Sequence, residues 1–257
     1  MPRAWILLLL LLLSSLPVIV VFIWFRLAKY QFSLYRFLLA LLAGAAAFFP
    51  ALILQDVLTF SFHSNRATLF FEFFIRIAFT EEFSRFLILL VFFWVSTRIS
   101  TEKQPRYLPF SDLSEADQQR YYNSIKKATA TGLIAGLSFA LLENAVYAAS
   151  DINVLPLRII ITAAVHAACG ARIGAAAVMI YSSPIQAILR ILSATAIHGI
   201  YNLLVTMSGF SPLIAIFIAI SALFSAIVTI SGGWSYDTAD KQNYQDAPAI
   251  DKNNENS

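Results

Sequence analysis

Glu81, Glu82 and Arg85 stand in the stretch FTEEFSRFLILLVFFWV, at the head of a run of uncharged, mostly apolar residues. Glu82 and Arg85 are spaced i, i+3, and Glu81 and Arg85 i, i+4. On a helix the arginine therefore pairs with one carboxylate and leaves the other, about 100° around the axis, free for proton transfer. Two close acids in unlike surroundings are what a general base or acid requires. Further along, Glu143 shares a helical face with Phe139 and Tyr147, His166 stands inside another apolar run, and His198 and Asn202 are one turn apart. Carboxylates and imidazoles of this kind suit hydrolysis by activated water. A metal-free route uses a glutamate as base, with His and Asn donors for the oxyanion. A zinc route uses His166, His198 and Glu143 as ligands around an open position, with Glu81 or Glu82 as base. No HExxH, GxSxG or Ser/Lys arrangement is present, so neither a zincin helix nor a serine mechanism is indicated.

The elements that must position these groups are membrane helices. Apolar residues make up 59% of the 257-residue chain and charged residues only 13%, about half the share usual in soluble domains. Mean hydropathy is +0.71. Runs long enough to span lie near 4–25, 34–54, 74–97, 128–150, 155–182, 184–208 and 211–231. They predict an all-α, polytopic bundle of about seven transmembrane helices over 1–233, with a catalytic core at about 70–208. The first run is too long for a signal-peptide h-region and reads as a span. Pro17 and Pro50 are expected to kink the first two helices; Pro156, Pro184 and Pro212 fall where helices begin. The loop 98–127 carries an amphipathic helix with Ser111 or Ser114 as N-cap. The tail 234–257 is polar and expected to be disordered.

Lys and Arg counts orient the chain. With the N-terminus outside and the C-terminus in the cytoplasm, the inner segments hold eleven basic residues and the outer segments four, the preferred sense for a multi-pass protein of the cell membrane. No basic cluster is interleaved with aromatics, so no nucleic-acid partner is expected. The single Cys169 excludes an internal disulfide or a Cys-rich metal site and reads as a small buried residue. His63 falls in an outer loop.

The candidate residues meet in depth. At about 1.5 Å per residue, Glu81 and Glu82 lie about 11 Å from the outer face, Glu143 about 10 Å, His166 about 16 Å and His198 about 15 Å. Four helices thus place their ionisable side chains at one level. Arg172 and Arg190 are further ionisable residues inside spans. Gly132 and Gly136 in one helix, and Gly170 and Gly174 in another, are spaced for close backbone approach. Intramembrane carboxylates and histidines also build proton relays. A proton- or cation-coupled transporter, or a non-catalytic membrane scaffold, is therefore the alternative to an enzyme.

E-E-x-x-R at Glu81–Arg85, F-x-x-x-E-N at Phe139–Asn144, H-A at His166–Ala167 and H-G-x-Y-N at His198–Asn202 resemble the PrsW family of intramembrane proteases. That family is related to the CAAX-processing and bacteriocin-immunity membrane proteases, and Glu143 stands where this wider group has His. The resemblance implies a membrane-embedded endopeptidase of glutamic or metallo type, acting on a membrane-protein substrate within the lipid bilayer, such as an anti-sigma factor, near the outer face. By position it implies Glu81, Glu82, Glu143, His166 and His198 as catalytic, with Arg85, Phe139, Asn144 and Asn202 in support.

Overall fold

In hydrocarbon a backbone must satisfy its own polar groups, and helices do so within one segment. The computed structural model of the chain describes residues 4–30, 32–59, 65–99 and 114–231. Among them there are only helices and their connections: α1 (Ala4–Ser14), α2 (Leu16–Leu27), α3 (Leu34–Val57), α4 (Asn65–Phe70), α5 (Thr80–Ile99), α6 (Glu115–Ser150), α7 (Leu155–Leu157), α8 (Ala163–Met179), α9 (Pro184–Thr206) and α10 (Ser211–Ser231). π-Helical stretches join α4 to α5 (Phe71–Phe79) and α7 to α8 (Arg158–Thr162), and a 3₁₀ turn (Ile152–Val154) follows α6. The expected disordered tail, His63 and Ser111 lie outside the described residues.

Among the described residues, six helical stretches are long and apolar enough to cross a membrane: Leu8–Leu27, Leu34–Val57, Asp117–Ser150, Ile152–Met179, Pro184–Thr206 and Ser211–Ser231. The chain is therefore a multi-pass membrane protein. The remaining expected span is the helix through Phe71–Phe79 and α5. It is long enough, but it carries Glu72, Arg76, Glu81, Glu82 and Arg85. It is held inside the bundle by α3, α8 and α9. It also starts earlier than the apolar run indicated, because α4 and the π-helical turns extend it toward Asn65.

Proline acts as expected at most positions. Pro17 lies in the first turn of α2, just after the break at Ser15, whose hydroxyl donates to the Leu12 carbonyl at 2.7 Å. Pro156 and Pro184 open α7 and α9. Pro50 sits inside α3 without ending it. The amphipathic stretch of the expected 98–127 loop is not a separate element. From Ser114, whose Oγ accepts the Asp117 N–H at 3.2 Å, one helix of 36 residues runs into the membrane span. The residues between this cap and the span include neither proline nor glycine, so nothing stops the helix.

α6 and α8 form the centre. The outer faces of α3, α9 and α10 present Leu42, Phe49, Leu189, Phe217 and Phe224 to the surroundings, whereas α8 is buried along nearly its whole length. The two glycine pairs face each other. A Cβ on Gly132 would lie 2.1 Å from the Gly170 carbonyl oxygen, and one on Gly136 would lie 2.0 Å from that of His166. Backbone thus rests on backbone, and the His166 turn is pinned to α6 two turns before Glu143. On the other side of α6, a Cβ on Gly44 would meet the Ala135 carbonyl at 2.1 Å, and Ser138 Oγ donates to the Leu41 carbonyl at 2.7 Å. Gly136→Ala should force these helices apart and lower stability by about 1–3 kcal/mol. A reduced unfolding midpoint in detergent checks this; an unchanged midpoint would contradict the seam.

Candidate active site

Arg85 is wholly buried at the meeting point of α5, α6 and α8. Its Nη2 donates to Glu82 Oε1 at 2.6 Å and lies 3.3 Å from His166 Nδ1, and its Nη1 donates to the His166 carbonyl at 3.3 Å. The guanidinium stands 4.6 Å over the ring of Phe139. Glu81 is the looser partner, with Oε2 3.8 Å from Arg85 Nη2. The arginine has therefore taken the i, i+3 carboxylate.

The same contacts set the two imidazoles. Arginine has only donors to offer, so His166 Nδ1 accepts and its Nε2–H donates to Glu143 Oε2 at 2.7 Å. His198 Nδ1–H donates to Glu82 Oε1 at 2.9 Å, which turns its Nε2 lone pair toward Glu81 Oε2, 3.9 Å away. His166 Nδ1 lies 4.0 Å from that same oxygen. The two rings meet edge to face, with centroids 4.8 Å apart.

Glu81 is held from the far side. Gln55 of α3 donates Nε2–H to Glu81 Oε1 at 2.9 Å, and the Gln55 carbonyl accepts from Arg76 Nε at 2.8 Å, while Arg76 also pairs with Glu72. Glu81 Oε2 is buried and has no hydrogen-bond partner among the described residues. An orphaned carboxylate oxygen and two imidazole nitrogens thus converge, one atom each from Glu81, His166 and His198, all within 4.8 Å of one another. Glu81 Oε2 and His198 Nε2 face each other with no proton donor between them, and with a His166 nitrogen, once its bond to Arg85 is exchanged, they make a His₂Glu group that could hold a divalent cation such as zinc.

This differs from the ligand set expected from the sequence in one residue. The three ligand atoms that lie within 4.8 Å of one another belong to Glu81, His166 and His198 rather than to a set with Glu143. The Glu143 carboxylate is already engaged, since its Oε2 lies 2.9 Å from Arg158 Nη2 as well as against His166. Arg158 is fixed in turn by Asn144, whose Oδ1 accepts Arg158 Nε at 3.0 Å, and by the face of Tyr147 at 3.8 Å. Asn202, expected beside His198, makes no hydrogen bond among the described residues; Glu82 orients that ring instead. Cys169 is buried and donates to the Ala194 carbonyl at 3.4 Å, a packing role.

A cavity of about 300 Å³ reaches this cluster between the C-terminal parts of α3 and α6 and the π-helical turns before α5. Phe48, Ala51, Gln55, Glu81, Phe139, Glu143 and Tyr147 line it. The Phe48–Phe139 ring pair, 5.4 Å between centroids, closes its floor, and Leu52, Val146 and Tyr147 stand exposed at its rim. Both Glu81 and Glu143 therefore face one space open to a reactant.

Two of these groups were not found from the sequence. Gln55 is uncharged, and an amide in an apolar helix does not stand out as an ionisable side chain does. Arg158 is one of the four basic residues counted with the outer segments, close to the helix start that Pro156 marks. The helix in fact begins at Ile152, and Arg158 sits in its π-helical part, turned inward.

A family model described as PrsW family intramembrane metalloprotease matches residues 33–229. No curated protein and no solved structure matches the chain. Residues that hold a ligand or base from behind typically contribute 10–100-fold. Gln55→Ala and Arg158→Gln should each lower the rate constant for peptide cleavage by about that factor, with KM little changed and the protein folded. Single-turnover cleavage checks this, and wild-type rates in both variants would remove the two residues from the site. The helical bundle, the intramembrane Glu/His cluster and a match over most of its length agree: the chain belongs to the PrsW family of intramembrane metalloproteases and is a membrane-embedded hydrolase.

Proposed function

We propose that the chain cleaves a peptide bond of a single-span membrane-protein substrate, such as an anti-sigma factor, near the outer face of the cell membrane. The observation that carries this reading is the shared cavity: it brings the orphaned oxygen of Glu81 and the clamped carboxylate of Glu143 to the same space. The Lys/Arg excess of the inner segments supports an outside N-terminus and a cytoplasmic C-terminus. In that sense the cluster lies in the outer half of the bilayer, where water and an unwound substrate segment meet.

Glu81, His166 and His198 would hold the metal ion, with zinc the choice that best suits a His₂Glu donor set. Bound there, such an ion supplies Lewis acidity to the carbonyl and acidity to a water. The protein's own groups do the rest. Glu82 fixes the His198 ring through Nδ1, so that Nε2 faces the site. Arg85 anchors Glu82 and the His166 backbone together. Gln55 holds Glu81 Oε1 and thereby directs Oε2 inward. Glu143, kept in place by Arg158 and His166, accepts a proton from the attacking water as the carbon–oxygen bond forms. It returns that proton to the leaving amine as the carbon–nitrogen bond breaks. The roles of Glu81 and Glu143 are thus exchanged relative to the zinc route expected from the sequence.

Glu82→Gln and His198→Ala should abolish cleavage while the protein remains inserted. Cells expressing the wild type or a Glu81→Ala/Glu82→Ala protein at equal levels provide the test. New N-termini of membrane proteins just outside their spans, present only with wild type, are expected and identify the substrate. Identical sets of termini, under conditions where purified wild type cleaves a reporter, would contradict the substrate and location proposed.

A further inference from the structure

Arg172 and Arg190 lie inside membrane helices yet take no part in the catalytic cluster. Along α8, Arg172 is six residues beyond His166, about 9 Å further from the active-site end. Along α9, Arg190 is eight residues before His198, about 12 Å from it in the same sense. Measured from the nearer helix ends, Met179 and Pro184, both are about 10 Å in. Two helices therefore place a guanidinium at one level on the side opposite the active site.

Neither has a counter-ion among the described residues. Arg172 is aimed across to α10: its Nη1 donates to the carbonyls of Ala168 at 2.9 Å and Ala222 at 3.3 Å, and its Nη2 reaches Ser225 Oγ at 3.5 Å. These bonds orient the guanidinium without neutralising it. The Arg190 guanidinium makes no hydrogen bond or ion pair with a described residue, and Arg172 stands within electrostatic reach of it. Two cations that sense each other repel, and a low-dielectric surrounding strengthens the repulsion. On the same two helices α9 exposes Leu189, the residue before Arg190, and α10 exposes Phe224 and Val228, on either side of Ser225. This is an apolar wall suited to acyl chains.

We infer that Arg172 and Arg190 form a site for the phosphate of an anionic lipid, seated against α8, α9 and α10 with its acyl chains along Leu189 and Phe224. Basic pockets between membrane helices are a recurrent way of holding such headgroups. A lipid is favoured over a free phosphate because the charges are set into apolar helices flanked by surfaces that acyl chains cover. The site is independent of the protease reading.

Native mass spectrometry of the full chain, released from detergent micelles doped with phosphatidylglycerol or phosphatidylcholine, tests this. Arg190→Gln is the first variant, since its guanidinium bonds no described group; Arg172→Gln/Arg190→Gln removes both charges, and Arg172→Lys/Arg190→Lys keeps them. Wild type should retain phosphatidylglycerol and not phosphatidylcholine. Retention should fall about tenfold in the Gln variants and recover with Lys, and added inorganic phosphate should not displace the lipid. Equal retention by wild type and both Gln variants would overturn the site. Displacement by inorganic phosphate would overturn the lipid as its ligand.

Discussion

A guanidinium with no exposure to solvent organises this protein. Arg85 holds Glu82 through a charge-assisted hydrogen bond, fixes the backbone and ring of His166, and stands on the face of Phe139. Residues of α5, α6 and α8 are thereby bound to one side chain, and Glu82 extends the connection to α9 through His198. A buried ion pair is weak evidence for stability, since desolvation offsets most of its attraction. Its value here is directional. It consumes one carboxylate of an adjacent pair and leaves the other, Glu81, with an oxygen facing the two imidazoles.

Such an arrangement survives only if the helices cannot drift apart. The opposed glycines of α6 and α8 bring the His166 carbonyl against Gly136, so the ring cannot move without moving the central seam. The two π-helical stretches have a complementary effect. Each changes the twist just before a site element, ahead of Glu81 in one helix and ahead of His166 in the other. π-Helical turns are frequent at functional sites, and here they coincide with the residues that line or clamp the cavity: Glu72, Arg76 and Ile77 in the first, Arg158 in the second. Regular helix near the glycine seam and altered twist near the cavity divide rigidity from access.

Much of this was legible in the residues themselves. Apolar runs marked the helices, and a constant rise per residue brought the two glutamates, Glu143 and both histidines to one level. Ser114 announced its helix, and the glycine spacing pointed to the central seam. Depth, however, says nothing about azimuth. It could not tell whether Glu81 or Glu143 shares a point with the imidazoles, nor that Arg85 turns to Glu82 rather than Glu81. Those outcomes depend on how neighbouring helices rotate, which the His198–Glu82 and His166–Glu143 bonds decide. Gln55 was invisible for a different reason: an amide in an apolar helix carries no charge penalty to draw attention. The amphipathic segment before Lys127 was separable from its span only by composition, and composition does not break a helix.

In the proposed mechanism Glu81, His166 and His198 would hold the metal ion and Glu143 would move the proton. Metal content of the purified protein tests this most directly. The account predicts about one divalent ion per chain in the wild type and in Glu143→Gln, and loss of that ion in Glu81→Gln and His198→Ala, with Glu143→Gln inactive although loaded. A metal-free wild type that still cleaves peptide, or a Glu143→Gln protein that loses the ion while Glu81→Gln keeps it, would contradict it.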